Sequence, residues 1–193
     1  MARVPRISVA VLCALLGWAT GAMAVSLLVD DFDKGEKPNA LGGDFGSWDK
    51  DPSDPTQKCT ISFDKVEAMG GAGSSLRIDY DVDSPNPAYN GFWSKLQRAN
   101  VSSAKNLSFY IKGDVSRGYT TQIKLELKND KKEVGRYLLK GITDQWQKAT
   151  IPLKSFEGIT DWTAMTEFVI VFDDITSTKK VGSILIDVVT FES

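Results

Sequence analysis

Leu107, Phe109 and Ile111 alternate with Ser108, Tyr110 and Lys112, and Ile123, Leu125 and Leu127 alternate with Lys124, Glu126 and Lys128. No other feature constrains the chain as much as this period of two. Successive strand side chains point to opposite faces, so each run predicts an antiparallel strand with one face buried and one in water. Leu76, Ile78 and Tyr80 repeat the pattern against Arg77, Asp79 and Asp81. Asn129–Lys132 reads as a turn leading into a partner strand over Glu133–Leu139, and Glu167–Asp173 is a strongly apolar strand. Shorter strands are expected over Cys59–Phe63, Gly91–Leu96 and Gln147–Ile151. Only Pro152–Phe156 and Asp161–Met165 invite a helical turn. About ten strands with no long helix predict an all-β fold, an antiparallel β-sandwich.

The two remaining strands lie at the ends, SLLVDDF over Ser26–Phe32 and GSILIDVVTF over Gly182–Phe191. Each has an aspartate set in an apolar run. Strict alternation puts Asp187 on the face of Leu185, Val189 and Phe191, and Asp30 on that of Leu28 and Phe32. A carboxylate on an apolar face is costly unless it is hydrogen-bonded, paired or bound to a metal. The end strands are therefore expected to lie side by side and close the sandwich. Asp30 and Asp187, with Asp31 as substitute if the register slips, either bind calcium through their oxygens or accept backbone N–H groups.

Residues 1–24 read as a signal peptide: Arg3 and Arg6, an apolar Ile7–Leu16, and Ala22-Met-Ala24 as cleavage site. That predicts a secreted or periplasmic protein of one domain, 25–193, with no membrane attachment once the leader is gone. Cleavage removes two of the 23 Lys and Arg and none of the 25 Asp and Glu. The acidic balance argues against nucleic acid as partner. Cys59 is the one cysteine left, so no internal disulfide can form. There is no histidine, which excludes His-based nucleophile pairs and His-ligated zinc. The glycine-rich stretch 33–56 reads as a long ordered loop.

Five stretches carry a resemblance: Leu28–Phe32, Gly73–Tyr80, Asn106–Lys112, Trp146–Phe156 and Gly182–Phe191. Their order resembles bacterial carbohydrate-binding domains with the galactose-binding-like jelly roll, and most of all the family 11 carbohydrate-binding modules, known for β-glucan recognition. The likeness spans almost the whole of 25–193. Two departures stand out. Val188 occupies a position where the family often has a second acid, and Gly42–Pro55 has no counterpart in the glucan binders. The same scaffold also resembles a domain of a respiratory complex I assembly factor, which implies a protein partner as the other reading.

The resemblance implies a non-catalytic module for a polysaccharide. Such a site needs flat exposed rings beside polar groups. The candidate rings are Trp48, Tyr89, Trp93, Tyr119 and Tyr137, and the polar companions are Lys124, Glu126, Arg136 and Asp173. Arg136 and Tyr137 are adjacent, so only one of them can share the face of Glu126. Trp146 and Trp162 are assigned to packing. Glu126, Glu133, Glu167 and Asp173 could supply a hydrolytic carboxylate pair, but no spacing among them singles one out.

Overall fold

The computed structural model describes residues 26–193. The expected signal peptide lies outside the described residues. Eleven strands follow in order: β1 (Ser26–Asp30), β2 (Phe45–Asp49), β3 (Lys58–Asp64), β4 (Ser75–Asp81), β5 (Tyr89–Ala99), β6 (Asn106–Gly113), β7 (Gln122–Asn129), β8 (Val134–Lys140), β9 (Gln147–Pro152), β10 (Met165–Asp173) and β11 (Val181–Glu192). Among the described residues the only helical pieces are 3-10 turns at Met69–Gly71 and Leu153–Ser155. The second of these answers the helical turn expected over Pro152–Phe156. At Asp161 no helical turn forms. Its carboxylate instead accepts the Thr163 N–H and hydroxyl, a local bond that competes with a helix.

All pairings are antiparallel, in two sheets. One runs β3-β4-β11-β6-β9 and the other β2-β5-β10-β7-β8. β11 is long enough for two neighbours along one edge. β4 pairs with Val181–Ile186 and β1 with Val189–Glu192, while β6 follows the opposite edge. β1 and β11 are thus adjoining strands, as the two apolar segments Ser26–Phe32 and Gly182–Phe191 predicted.

Their alternation is broken, and this corrects the expected placement of both aspartates. β11 shifts register between Asp187 and Thr190, with Val188 at φ 46°. Ile184 and Ile186 enter the core before this bulge, Val189 and Phe191 after it. Asp187 keeps the face of Leu185 but not that of Val189 and Phe191, because one extra residue inverts the parity. β1 has the matching irregularity between Leu28 and Asp30, followed by Phe32 at φ 55°. Val29 and Phe32 both enter the core, and Asp30 between them does not.

Aromatic rings tie the two sheets together. Phe45, Phe92 and Phe168 form a row at centroid spacings of 6.1 and 6.5 Å, and Phe168 meets Phe109 of the facing sheet at 5.9 Å. Tyr80 of β4 stacks on Phe172 of β10 at 4.0 Å. Such pairs contribute beyond their buried area. Cys59 is free and buried, and burial pushes its thiol pKa up.

The stretch read as one long loop contains β2. Asn39 fastens the approach to it. Its amide oxygen accepts the Leu41 and Gly43 N–H groups, and its amide nitrogen donates to Ser94 Oγ and the Lys95 carbonyl of β5. Phe45 then plugs into the core, and β2 runs along β5 as the sheet edge.

Candidate functional site

The outer face of the β2-β5-β10-β7-β8 sheet gathers most of the expected site residues. Strand register aligns them in rows. One row runs Gly46, Trp93, Val169, Glu126 and Arg136. The next runs Trp48, Gly91, Val171, Lys124 and Leu138. Beyond the first lie Lys95, Glu167, Lys128 and Val134, and beyond the second Tyr89 opposes Asp173. Each tryptophan thus sits beside a glycine. The Trp93 indole lies over Gly46, where an added Cβ would come within 3.1 Å of the ring. Trp48 and Tyr89 meet edge-on at 5.7 Å. A trough of about 320 Å³ opens here, with Val169 and Val171 between the rings and the charged rows of β10 and β7.

The charges on this face are interlocked. Glu167 accepts Lys95 and Lys128 on separate oxygens, each at 2.7 Å. Glu126 accepts Arg136 Nε at 2.9 Å, and Asp173 accepts Lys124 at 2.8 Å. Asp173 also takes the N–H groups of Ile175 and Thr176 and the Thr176 hydroxyl. Burial alone would raise the pKa of Glu167, but Lys128 and Lys95 outweigh it and hold the carboxyl below its ordinary value. For Asp173 burial is likewise outweighed, by Lys124 and Thr176. Lysines also crown the rings: Lys95 Nζ is 5.2 Å from the Trp93 ring and Lys50 Nζ 5.2 Å from Tyr89.

Seven expected residues therefore share one face: Trp48, Tyr89, Trp93, Lys124, Glu126, Arg136 and Asp173. Tyr119 and Tyr137 do not join them. Tyr119 lies against Gly113, between β6 and β7, and packs on the core. Tyr137 is the inward partner of Arg136 and meets Phe156 at 5.8 Å. Sequence reasoning left out Lys95 and Lys128 and weighed Glu167 only as a catalytic acid. Parity could have found all three, since Glu167 precedes the buried Phe168 and Lys128 continues the series of Lys124 and Glu126. Glu133 is elsewhere. It accepts the Thr160 hydroxyl and N–H and the Asn129 amide, which hold its carboxyl at about 2.

Larger hollows exist, but none resembles a sugar platform. One of about 490 Å³ beside Arg117 and Val181 has only the buried Tyr80 as a ring. One of about 530 Å³ on the opposite sheet is crossed by Arg77, which pairs with both Asp64 and Asp114. One of about 560 Å³ beside Trp162 is lined by Pro152, Leu153 and lysine stems, with a single ring.

The acidic seam between β1 and β11 is a second cluster. Asp187 accepts the Met69 and Val188 N–H groups at 2.9 and 2.8 Å, and Asp30 accepts the Phe32 N–H at 3.2 Å. Asp31 accepts the Asp33 N–H, and Asp33 that of Ser74. The backbone-capping alternative is thus present. Burial still pushes both Asp30 and Asp187 up to about 6, with neighbouring acids adding to it: Asp31 for the first, Asp33 and Asp31 for the second. Among the described residues no three or more such side chains are grouped to hold a metal ion as they stand.

Comparison with known proteins places this architecture. No curated protein matches the chain. Among solved structures it is similar to the family 11 carbohydrate-binding module of a cellulosomal cellulase of Clostridium thermocellum. The identity is 16%, the TM-score 0.65, and the match covers 88% of this chain and 95% of that one. A family 11 module from Clostridium thermocellum in complex with a β-1,3-1,4-mixed-linked tetrasaccharide matches at 17% identity and TM-score 0.64, covering 89% and 96%. A xylan-binding domain from Paenibacillus barcinonensis follows at 12% and 0.52, covering 89% and 97%. At these identities the structures establish the shared fold, the jelly-roll sandwich. The model of the carbohydrate binding domain, family 11, matches residues 19–183, and the chain belongs to that family.

Proposed function

We propose that this is a non-catalytic, exported module that holds a polysaccharide along the outer face of the β2-β5-β10-β7-β8 sheet. One observation carries the reading: Trp48, Tyr89 and Trp93 meet the charged rows over a single trough. Sugars offer apolar C–H faces to rings and hydroxyls to polar side chains, and this face supplies both. Five strands at about 4.8 Å spacing span about 19 Å, room for several sugar rings in a line. Glu167 and Asp173 are held ionised by lysines, which suits binding and not the proton donation that glycoside hydrolysis needs.

The test is affinity electrophoresis of residues 25–193 in gels containing single polysaccharides. Mixed-linked β-glucan is tried first because a similar module was solved with such a tetrasaccharide. Trp93→Ala and Trp48→Ala should each weaken binding about tenfold, the equivalent of about 1.4 kcal/mol, with little change in melting temperature. Undiminished retention by both variants, or no retention on any polysaccharide, would count against the reading.

Calcium at the seam is a second proposal. Hard cations take carboxylate oxygens, and Asp30, Asp31, Asp33 and Asp187 would supply them, with further oxygens from carbonyls and water. The fit rests on charge: Asp31 and Asp33 act on Asp187 and Asp31 on Asp30, and Asp31 and Asp33 each keep a second oxygen free of hydrogen bonds among the described residues.

A further inference from the structure

We infer that the polysaccharide taken by this face is anionic, its sugar rings carrying carboxylate or sulfate groups. The inference rests on the sugar-binding reading above and names its ligand class. The chain as a whole has 23 basic and 25 acidic residues. On the outward positions of this one sheet the balance is reversed: Lys95, Lys124, Lys128, Arg136 and Lys140 stand against Glu126, Glu167 and Asp173.

Depth separates the two signs further. The side chains of Lys95, Lys124, Lys128 and Arg136 are 48, 41, 34 and 66% exposed. Those of Glu126, Glu167 and Asp173 are 19, 14 and 8% exposed. The acids are sunk into the sheet; both oxygens of Glu167 and Asp173 are engaged by lysines, backbone or Thr176, and Glu126 gives one oxygen to Arg136. The cations rise above them with donors to spare. An ammonium carries three N–H groups, and each of these lysines spends one or two. Arg136 gives Nε to Glu126, and its two terminal nitrogens have no partner among the described residues. Lys140 is exposed, and its side chain has no hydrogen bond or ion pair among the described residues.

What the face offers a ligand is therefore mostly donors. A neutral hydroxyl is donor and acceptor at once, and it would find few acceptors open: the second oxygen of Glu126, 3.9 Å from Lys128 Nζ, the Tyr89 hydroxyl and the Gln122 amide oxygen, against a larger number of free donors. A carboxylate or sulfate is acceptor only, and it matches this surface without leaving a donor stranded. The free edge of a guanidinium fits either group in a two-pronged contact. The rings of β2 and β5 would still stack on the uncharged faces of the same chain.

The experiment uses residues 25–193 in affinity electrophoresis against polygalacturonate, the same polymer with its carboxylates reduced to alcohols, a sulfated galactan, neutral mixed-linked glucan and duplex DNA. Expected is retention on at least one acidic glycan. Which of the two acidic polymers retains the chain tells carboxylate from sulfate. If polygalacturonate is the one held, retention should fall at least about tenfold on its reduced form, and in either case it should weaken as salt is raised, since exposed charges are screened. The triple variant Lys124→Gln, Arg136→Gln, Lys140→Gln should lose about tenfold on the acidic polymer, and Trp93→Ala should lose binding as well. Equal retention of the reduced polymer, or DNA held as tightly as the acidic glycans, overturns the inference. Retention on neutral glucan alone overturns it while leaving the sugar-binding reading intact, and retention on nothing overturns both.

Discussion

Arg77 stands between two carboxylates on the sheet opposite the ring-bearing face. It donates Nη1 to Asp114, and Nη2 lies 2.6 Å from Asp64. Burial would raise the pKa of Asp114, but the Ser116 hydroxyl and Arg77 outweigh it and set the carboxyl at about 2. A folded pKa below the unfolded value of about 3.9 means that the native state keeps the charge to lower pH. The stabilisation is then whole above about pH 4 and is lost as pH falls toward 2. Asp114→Asn should melt below the parent at pH 7, and the gap should close by about pH 2. An equal gap at both values, in thermal melts, would disprove this account. Residues of this kind were legible only through parity. Alternation put Lys124 and Glu126 outward because each adjoins aliphatic neighbours in a regular strand, and left open whether Arg136 or Tyr137 shared their face. Tyr119 lies between strands, where there is no parity to read, and its packing on Gly113 left no trace in the sequence.

At the scale of elements, the strands that sequence reading recovered are those with aliphatic residues on the inward positions. β2 escaped because its pattern is inverted. Phe45 faces in, but the next inward positions are Ser47 and Asp49, while Trp48 faces out. A large apolar ring on the wet side is a signature of binding and reads as noise to an argument built on burial. The bulges in β1 and β11 escaped for another reason. An extra residue in a ladder shows only in the pairing, and neither Val188 nor Phe32 advertises a positive φ. Gly46 tests whether β2 exists to support the rings. Its backbone is ordinary, so a side chain there strains the Trp93 indole above it and not the chain. Gly46→Val should displace that ring and weaken polysaccharide binding severalfold, with tryptophan emission altered. The melting temperature should barely move, because β2 is an edge strand. A variant that binds like the parent would detach β2 from the site.

The whole molecule separates its charge. Lysines and an arginine rise from one sheet face, while acids gather at the seam between β1 and β11. No disulfide closes that seam, and the fold is held by rings and aliphatic side chains between the sheets. Family membership at 16–17% identity is understandable on this basis, since a core of alternating apolar positions tolerates many sequences of similar volume. Acids crowded at the closure are a standing repulsion, and a divalent cation there would relieve it in the folded state alone. A ligand present at about a hundred times its Kd stabilises the native state by about 2.7 kcal/mol. For a domain of this size each kcal/mol moves the melting temperature by about 2–4 °C, so calcium should raise it by about 5–10 °C over chelator. Magnesium should do much less, because it needs near-ideal octahedral geometry and dehydrates reluctantly. Asp187→Asn should abolish the calcium response, whatever it does to the baseline. Superimposable melts in calcium and in chelator would leave the seam to its backbone hydrogen bonds, with the apolar interior carrying the closure by itself.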